Sequence, residues 1–315
     1  MHVRPSLSSA PAASRAGGRL PSWLIHFSFG FASALLLLAS SLSLYAFFHG
    51  TSHVSVRSII DSIIRGKKYD LSSVSVPVVV AFGDSLTQRG FVSMDLAPTN
   101  VISESFTGST GWLSSLGGYL ARKADVLNRG YSGFNTQMAL DLGLVAHQVS
   151  TYSPGLVIMC FGANDAIDEE APQHVALADF KRNMKILISQ IKDIGNNVDI
   201  IVMSPPPVFE PDLEASNLKK NKAIIRDRLN DRTRLYAEAS ISVAEDFALP
   251  FIDLWTDLGG ASLDRKIYLE DGLHFNKKGN DKVFSLIRQL LNARLSRWSF
   301  ETMPFVVPPH YKLLN

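Results

Sequence analysis

The chain reads as an α/β domain, a parallel sheet with helices on both faces, placed behind one membrane-spanning segment. Three observations predict this. A long uncharged apolar run lies near the N-terminus, short β-branched runs then alternate with helix-length segments, and residues suited to chemistry fall directly after those runs. The chain has 315 residues, 46% of them hydrophobic and 19% charged, with a net charge of +2. That composition supplies a full core and gives no reason to expect nucleic acid or another polyanion as partner.

Residues 1–22, rich in Ser, Ala, Pro and Arg, read as a disordered tail. No Asp, Glu, Lys or Arg occurs between Arg19 and Arg57, and Trp23 to Phe48 is strongly apolar. A stretch of ~20 apolar residues crosses a bilayer, and a soluble helix would show a polar face that this one lacks. Ala39-Ser40-Ser41 offers a signal-peptide alternative, but the apolar run continues to Phe48, so residues 23–48 are read as an uncleaved, single-pass signal-anchor. Arg4, Arg15 and Arg19 on one side nearly balance Arg57, Arg65, Lys67 and Lys68 on the other. An anchor with a cytosolic N-terminus puts the domain in the lumen or outside. The absence of an Asn-x-Ser/Thr sequence adds no support for that side, and a cytosol-facing arrangement stays open. Residues 49–75 read as a polar linker, 76–300 as one domain, and 301–315 as a C-terminal tail.

Within the domain, Val78 to Phe82 is a β-branched run ending in Gly83, which suits a buried strand. Similar runs follow at Asp125 to Leu127, Leu156 to Phe161, Val198 to Met203 and Leu249 to Ile252. Helices are expected between them at Leu113 to Lys123, Thr136 to Val149, Leu177 to Ile194 and Leu213 to Phe247, with a last one at Lys278 to Leu295. Alternating strands and helices imply parallel strands joined by crossovers, and ligands bind beyond the carboxyl ends of such strands. Cys160, the one cysteine, excludes an internal disulfide and reads as a small core residue in Leu-Val-Ile-Met-Cys-Phe.

Ser85 follows the first strand directly, Gly133 comes shortly after the second and Asn164 directly after the third, while Asp271 and His274 precede the last helix. All would project at one end of a parallel sheet. A serine hydroxyl needs a base before it is a useful nucleophile, and imidazole serves near neutral pH. The base in turn needs a carboxylate to fix its tautomer, and Asp271 and His274 supply both from one Gly-containing turn. Of the other histidines, His2, His26, His49, His53 and His310 fall in the tails, anchor or linker, and His147 and His174 have ordinary helix readings. An oxyanion needs preorganised donors: the backbone N–H groups of Ser85 and Gly133 and the side-chain amide of Asn164. Gly-Asp-Ser by itself is equally a turn with a helix N-cap, and Asn164-Asp165 is equally turn chemistry. No Gly-x-Ser-x-Gly, Gly-x-x-x-x-Gly-Lys, Gly-x-Gly-x-x-Gly or His-Glu-x-x-His pattern is present, so neither metal nor cofactor is expected.

Phe-Gly-Asp-Ser-Leu-Thr at 82–87, Asn-Arg-Gly-Tyr-Ser-Gly at 128–133, Gly-Ala-Asn-Asp at 162–165 and Asp-Gly-Leu-His at 271–274 resemble the four ordered blocks of the GDSL, or SGNH, hydrolases. The resemblance runs from about Pro77 to Pro309. It implies a three-layer α/β/α sandwich with a central parallel sheet, of the flavodoxin-like SGNH kind, and no metal. It gives Ser85, Asp271 and His274 the triad roles and Ser85, Gly133 and Asn164 the oxyanion hole. Gly130 lies in the same block as Gly133, but the position before Phe134-Asn135-Thr136 matches the family's donor better. Further stretches, among them Ser204-Pro-Pro-Pro207, Leu249 to Trp255 and Met303 to His310, resemble the isoamyl acetate-hydrolysing esterases. That branch implies hydrolysis of short acyl esters, acetate-type above all, with a small-molecule ester as substrate. Two other readings accompany it. The same mechanism would serve a lipase, lysophospholipase or glycan O-acetyl esterase, and an inactive membrane-tethered binding module would keep the fold alone.

Overall fold

A computed structural model describes residues 75–93, 109–194 and 197–309. The tail 1–22, the anchor 23–48 and the linker as far as residue 74 lie outside these, as do residues 310–315. Among the described residues no helix is long and apolar enough to cross a membrane.

The chain opens with β1 (Val78–Gly83), the short α1 (Ser85–Gln88) and a two-residue antiparallel ladder of β2 (Val92–Ser93) with β3 (Ser109–Thr110). It continues through α2 (Trp112–Tyr119), β4 (Asp125–Gly130), α3 (Thr136–Asp141), α4 (Leu144–Tyr152), β5 (Leu156–Cys160), α5 (Leu177–Ile194) and β6 (Asp199–Met203). Then come α6 (Glu210–Lys219), α7 (Asn230–Asp246), β7 (Phe251–Ile252), α8 (Leu254–Asp257), a 3-10 turn at Leu263–Tyr268 and α9 (Lys277–Arg294). The main sheet has the order β4-β1-β5-β6-β7, and every pairing in it is parallel.

Strands β1, β5 and β6 read as near-continuous apolar runs because both sheet faces are covered there, whereas the edge strand β4 is half-exposed and carries Asn128 and Arg129. Alternate residues of β1 divide between two cores, as the period of a strand requires. Val79 and Ala81 pack with Leu113 and Leu116 of α2 and with Val283, Ile287 and Leu291 of α9. Val80 and Phe82 pack with Ala139 of α3, Val145 of α4, Phe180 and Leu187 of α5 and Val243 of α7. The result is the three-layer α/β/α arrangement that the alternating pattern predicts. Cys160 is buried in the first core, and burial pushes its thiol pKa well above the ordinary value.

The chain moves from β1 outward to β4, then crosses back over β1 to β5 and onward. The order therefore reverses beside β1, and that is where a ligand crevice forms in an open α/β sheet. Register sharpens the point. Gly83 pairs with Gly130 on one side and with Cys160 on the other, and Cys160 pairs with Met203. Four strands thus end on one line.

Two expected helices are broken. The one expected over Thr136 to Val149 stops at Asp141 and restarts at Leu144, because Gly143 takes the left-handed conformation at φ +56°. The one expected over Leu213 to Phe247 is two helices, α6 and α7, separated by residues 220–229. Asn217 turns the chain there: its amide donates to Ile225 O at 2.9 Å and to Asp227 Oδ1 at 2.8 Å. Asn221, at φ +51°, completes the reversal. Asparagine tolerates that conformation better than most residues, and the apolar periodicity on either side hides the break.

Gly130 is fixed by close approach between β4 and α1. A Cβ there would lie 2.0 Å from Gln88 N and 2.6 Å from Thr87 C, both backbone atoms. Gly130→Ala is expected to destabilise the domain by about 2–3 kcal/mol, the cost of overpacking a site that cannot relax. A urea midpoint unchanged from wild type would contradict this close contact.

Candidate active site

Ser85 is the first residue of α1, and Asp84 is its N-cap, with Oδ1 accepting from Leu86 N at 2.8 Å. The turn-and-cap reading of Gly-Asp-Ser is therefore correct as local structure, and it is what aims the Ser85 hydroxyl. Ser85 Oγ lies 2.9 Å from His274 Nε2. His274 Nδ1 lies 3.0 Å from both carboxylate oxygens of Asp271. A carboxylate can only accept, so Nδ1 carries the ring proton and Nε2 is left to accept from the serine.

The turn that presents the histidine is closed on itself. Asp271 Oδ1 also accepts from His274 N at 2.9 Å and from Leu273 N at 3.2 Å. Gly272 supplies φ +83°, and its carbonyl accepts from Phe209 N at 2.8 Å. Glu270 N donates to His274 O at 2.8 Å. Helix α9 begins at once, capped by Asn276 Oδ1 on Gly279 N at 3.0 Å. Burial raises the proton affinity of Asp271, but hydrogen bonds from His274 and its charge outweigh burial and hold the carboxyl well below the usual range. Burial pushes the His274 pKa below its ordinary value, Asp271 pulls it back up, and Arg89 and Arg228 push it down again. The net effect keeps the imidazole neutral, and able to act as a base, near pH 7.

Gly133 and Asn164 are joined by their loops. Asn164 Nδ2 donates to Phe134 O at 2.8 Å, and Asp165 Oδ1 accepts from Thr136 N at 2.9 Å and from the Thr136 hydroxyl. Gly133 has φ +82°, and a Cβ there would meet nothing closer than Gln173 Nε2 at 3.5 Å. Among the described residues no acceptor takes its N–H. The two glycines of this block differ in kind: Gly130 is packed against the backbone of α1, while a Cβ at Gly133 would meet only ordinary van der Waals contact. On the other side, Ser132 N donates to Gln88 Oε1 at 2.7 Å, so the Gly133 segment is braced between α1 and the Asn164 loop. Ser85 N is the first N–H of a helix and has no acceptor within it. The arrangement can deliver an activated hydroxyl and present N–H donors from three loops. Among the described residues no cluster of three or more His, Cys, Asp or Glu side chains is gathered as a metal site requires. His174 Nδ1 instead lies 2.9 Å from Ile167 O, and His147 sits within α4.

Fold and site together describe a hydrolase on a three-layer α/β/α frame, and comparison with known proteins gives the family. A family model described as GDSL-like lipase/acylhydrolase matches residues 81–282. An isoamyl acetate-hydrolyzing esterase 1 homolog of Bos taurus is 34% identical over 237 residues, which cover 74% of this chain and 86% of that protein. A GDSL esterase/lipase of Arabidopsis thaliana is 32% identical over 244 residues, or 74% of this chain and 92% of that one. Among solved structures, a lipase/acylhydrolase from Enterococcus faecalis aligns with a TM-score of 0.51 at 22% identity, covering 70% of this chain and 97% of its own. An acetylxylan esterase from Geobacillus stearothermophilus aligns with a TM-score of 0.51 at 19% identity, covering 72% and 98%. These structural likenesses bear on the fold alone. The chain belongs to the GDSL-like lipase/acylhydrolase family and is a carboxylic ester hydrolase acting on small-molecule esters.

Three polar residues around the site, Asp84 and Arg228 buried and Asn128 half-buried, have contacts that the sequence did not show. Asn128, in β4, donates to Thr87 O and Gln88 O at 2.9 and 3.0 Å and accepts from Gly130 N at 2.9 Å, tying the strand to α1. Arg228 contacts the Asn164 side chain. Asp84 is wholly buried, and among the described residues its Oδ2 has no hydrogen-bond partner. Burial, reinforced by the neighbouring Asp165, lifts the Asp84 pKa to about 7 against the hydrogen bond from Leu86 and the charge of Arg228. The Gly-Asp-Ser turn marked Asp84 and the Asn-Arg-Gly-Tyr-Ser-Gly block contained Asn128, but no local signal marked Arg228.

The folded protein keeps the Asp84 proton to about pH 7, whereas the unfolded chain releases it near pH 4. Stability therefore falls as pH rises through that window, because the folded state binds the extra proton. Asparagine keeps the capping oxygen and carries no charge. Asp84→Asn is expected to raise Tm above wild type at pH 8, with the difference shrinking towards pH 4. A difference that does not change with pH would contradict a proton held at Asp84.

Proposed function

We propose that the chain hydrolyses short acyl esters, acetate-type esters foremost, through a Ser85–His274–Asp271 triad. The observation that carries this reading is the continuous chain from Ser85 Oγ through both ring nitrogens of His274 to the Asp271 carboxylate, at 2.9 and 3.0 Å. Support for the acyl group comes from the isoamyl acetate-hydrolyzing relatives.

In this mechanism Ser85 Oγ attacks the ester carbonyl carbon as its proton passes to His274 Nε2. Asp271, held ionised, stabilises the imidazolium so formed and keeps the ring oriented. Negative charge develops on the former carbonyl oxygen. The N–H groups of Ser85 and Gly133 and the free N–H of the Asn164 amide receive it, and losing one such donor typically costs ~3 kcal/mol of transition-state stabilisation. Collapse of the tetrahedral species breaks the bond to the alcohol oxygen, which takes the proton from His274 Nε2. Water then enters, gives its proton to the same nitrogen and attacks the acyl-serine. Release of the acid restores the Ser85 hydroxyl.

Ser85→Ala is expected to lower kcat on p-nitrophenyl acetate by at least about 10⁴-fold, with the fold intact by circular dichroism. In wild type, kcat/KM should fall steadily from acetyl to palmitoyl esters. Retained turnover in Ser85→Ala would sink the mechanism, and a flat or long-chain-preferring series would sink the acyl assignment.

A further inference from the structure

Arg228 is a buried cation for which the reaction above has no direct task. Its residue is only 5% exposed, and it sits at the end of the 220–229 segment that separates α6 from α7. Its guanidinium is committed in three directions. Nε donates to Ala163 O at 3.0 Å, Nη2 to Asn164 Oδ1 at 2.8 Å and Nη1 to Asp227 Oδ2 at 3.0 Å. Asp227 is itself gripped by Asn217 Nδ2 at 2.8 Å and Lys222 Nζ at 2.9 Å. The anchor behind the arginine is therefore rigid.

The consequence falls on the Asn164 amide. An asparagine side chain can exchange its oxygen and nitrogen by a half-turn. A guanidinium only donates, so the atom facing Arg228 has to be Oδ1 and the NH₂ has to face away from it. Phe134 O takes one of those two hydrogens at 2.8 Å. The amide is thus fixed at both ends, with one N–H left over. Donation into Oδ1 from a cation also polarises the amide and strengthens that remaining donor.

We propose that Arg228 is a positioning residue for the Asn164 oxyanion donor, setting the orientation of its amide through paired hydrogen bonds to Ala163 O and Asn164 Oδ1. The proposal rests on the Ser85–His274–Asp271 reading of the site. Geometry and charge can be separated experimentally, because lysine keeps the charge without the planar fork. The charge has its own signature at His274. That ring is faced by Asp271, which raises its proton affinity, and by Arg89 and Arg228, which lower it, while Lys220 acts on Asp271 at 3.5 Å.

The test takes the full chain with Arg228→Lys and Arg228→Gln, each alone and combined with Asn164→Ala. It reads kcat and KM on p-nitrophenyl acetate across pH, with a thermal melt of every variant. Arg228→Lys is expected to lower kcat by about 10- to 100-fold with KM changed by less than about 3-fold, the pattern of a displaced transition-state donor. Its acid limb in kcat/KM should stay where wild type has it. Arg228→Gln should lower kcat similarly and move that limb to higher pH, because a cation opposing protonation of His274 is gone. In the Asn164→Ala background neither substitution should cost more than about a further 2-fold, since the residue through which Arg228 acts is already lost. Wild-type kcat in Arg228→Lys would overturn the proposal. So would an undiminished loss in the Asn164→Ala background, which assigns Arg228 a general structural role. Should Arg228→Lys fail to fold, Asp227→Asn loosens the guanidinium from its far side and carries the same test, with a loss in kcat that disappears beside Asn164→Ala. All of these are read in an enzyme whose turnover needs Ser85; if Ser85→Ala stays active, the triad reading fails first and separately.

Discussion

The parallel register of β1 with β4 and β5 is the constraint on which the site depends. Gly83, Gly130 and Cys160 end on one line, and the chemistry is spaced from that line: Ser85 two residues past the first, Gly133 three past the second, Asn164 four past the third. A slip of one residue would turn each strand's apolar set to the wrong core, so the hydrophobic layers that stabilise the sheet also fix where the loops begin. The loops then bind one another. Tyr131 N donates to Gly83 O at 2.9 Å, and Asn164 reaches Phe134 O. The histidine turn arrives from much later in the chain and is tied by Phe209 N to Gly272 O. Close approach is the price of this economy, and glycine meets it at 130.

Three buried or half-buried carboxylates show how local donors decide where negative charge resides. Asp271 accepts from two backbone N–H groups and from the imidazole, and these outweigh burial. Asp84 accepts from one backbone N–H, and burial prevails, raising its pKa to about 7. Asp165 is intermediate: burial lifts it to about 6 while Thr136 holds it down. Negative charge is thereby favoured at Asp271, behind the imidazole, and disfavoured at Asp84, next to Ser85 in the chain.

Much of this was legible in sequence, and the rest failed for physical reasons. The strands could be read because burial on both faces leaves an uninterrupted apolar signature, as in Val78 to Phe82. Ser85 and Asn164 stood out because each comes within four residues of a strand end, and Asp271 and His274 because they lie just before the last helix. The break between α6 and α7 could not, because the periodicity resumes after it and the turn depends on Asn217 reaching eight and ten residues ahead. Arg228 was hidden for a related reason: its contact with Asn164 spans 64 residues, and a lone arginine in a helix-like stretch carries no local mark. Gly130 and Gly133 lie in one block, and likeness to the family's donor position alone favoured Gly133. The physical difference, the space around each Cβ, is set by the packing of α1 against β4.

Activation of Ser85 by His274 can be followed through the rate at which a fluorophosphonate modifies the full chain as a function of pH, with the labelled peptide identified by mass spectrometry. A single adduct on Ser85 is expected, with a rate that rises with loss of a proton below the ordinary histidine value of about 6.5 and no detectable labelling in His274→Ala. An adduct on another residue, or labelling of Ser85 that survives removal of His274 at the wild-type rate, would contradict it.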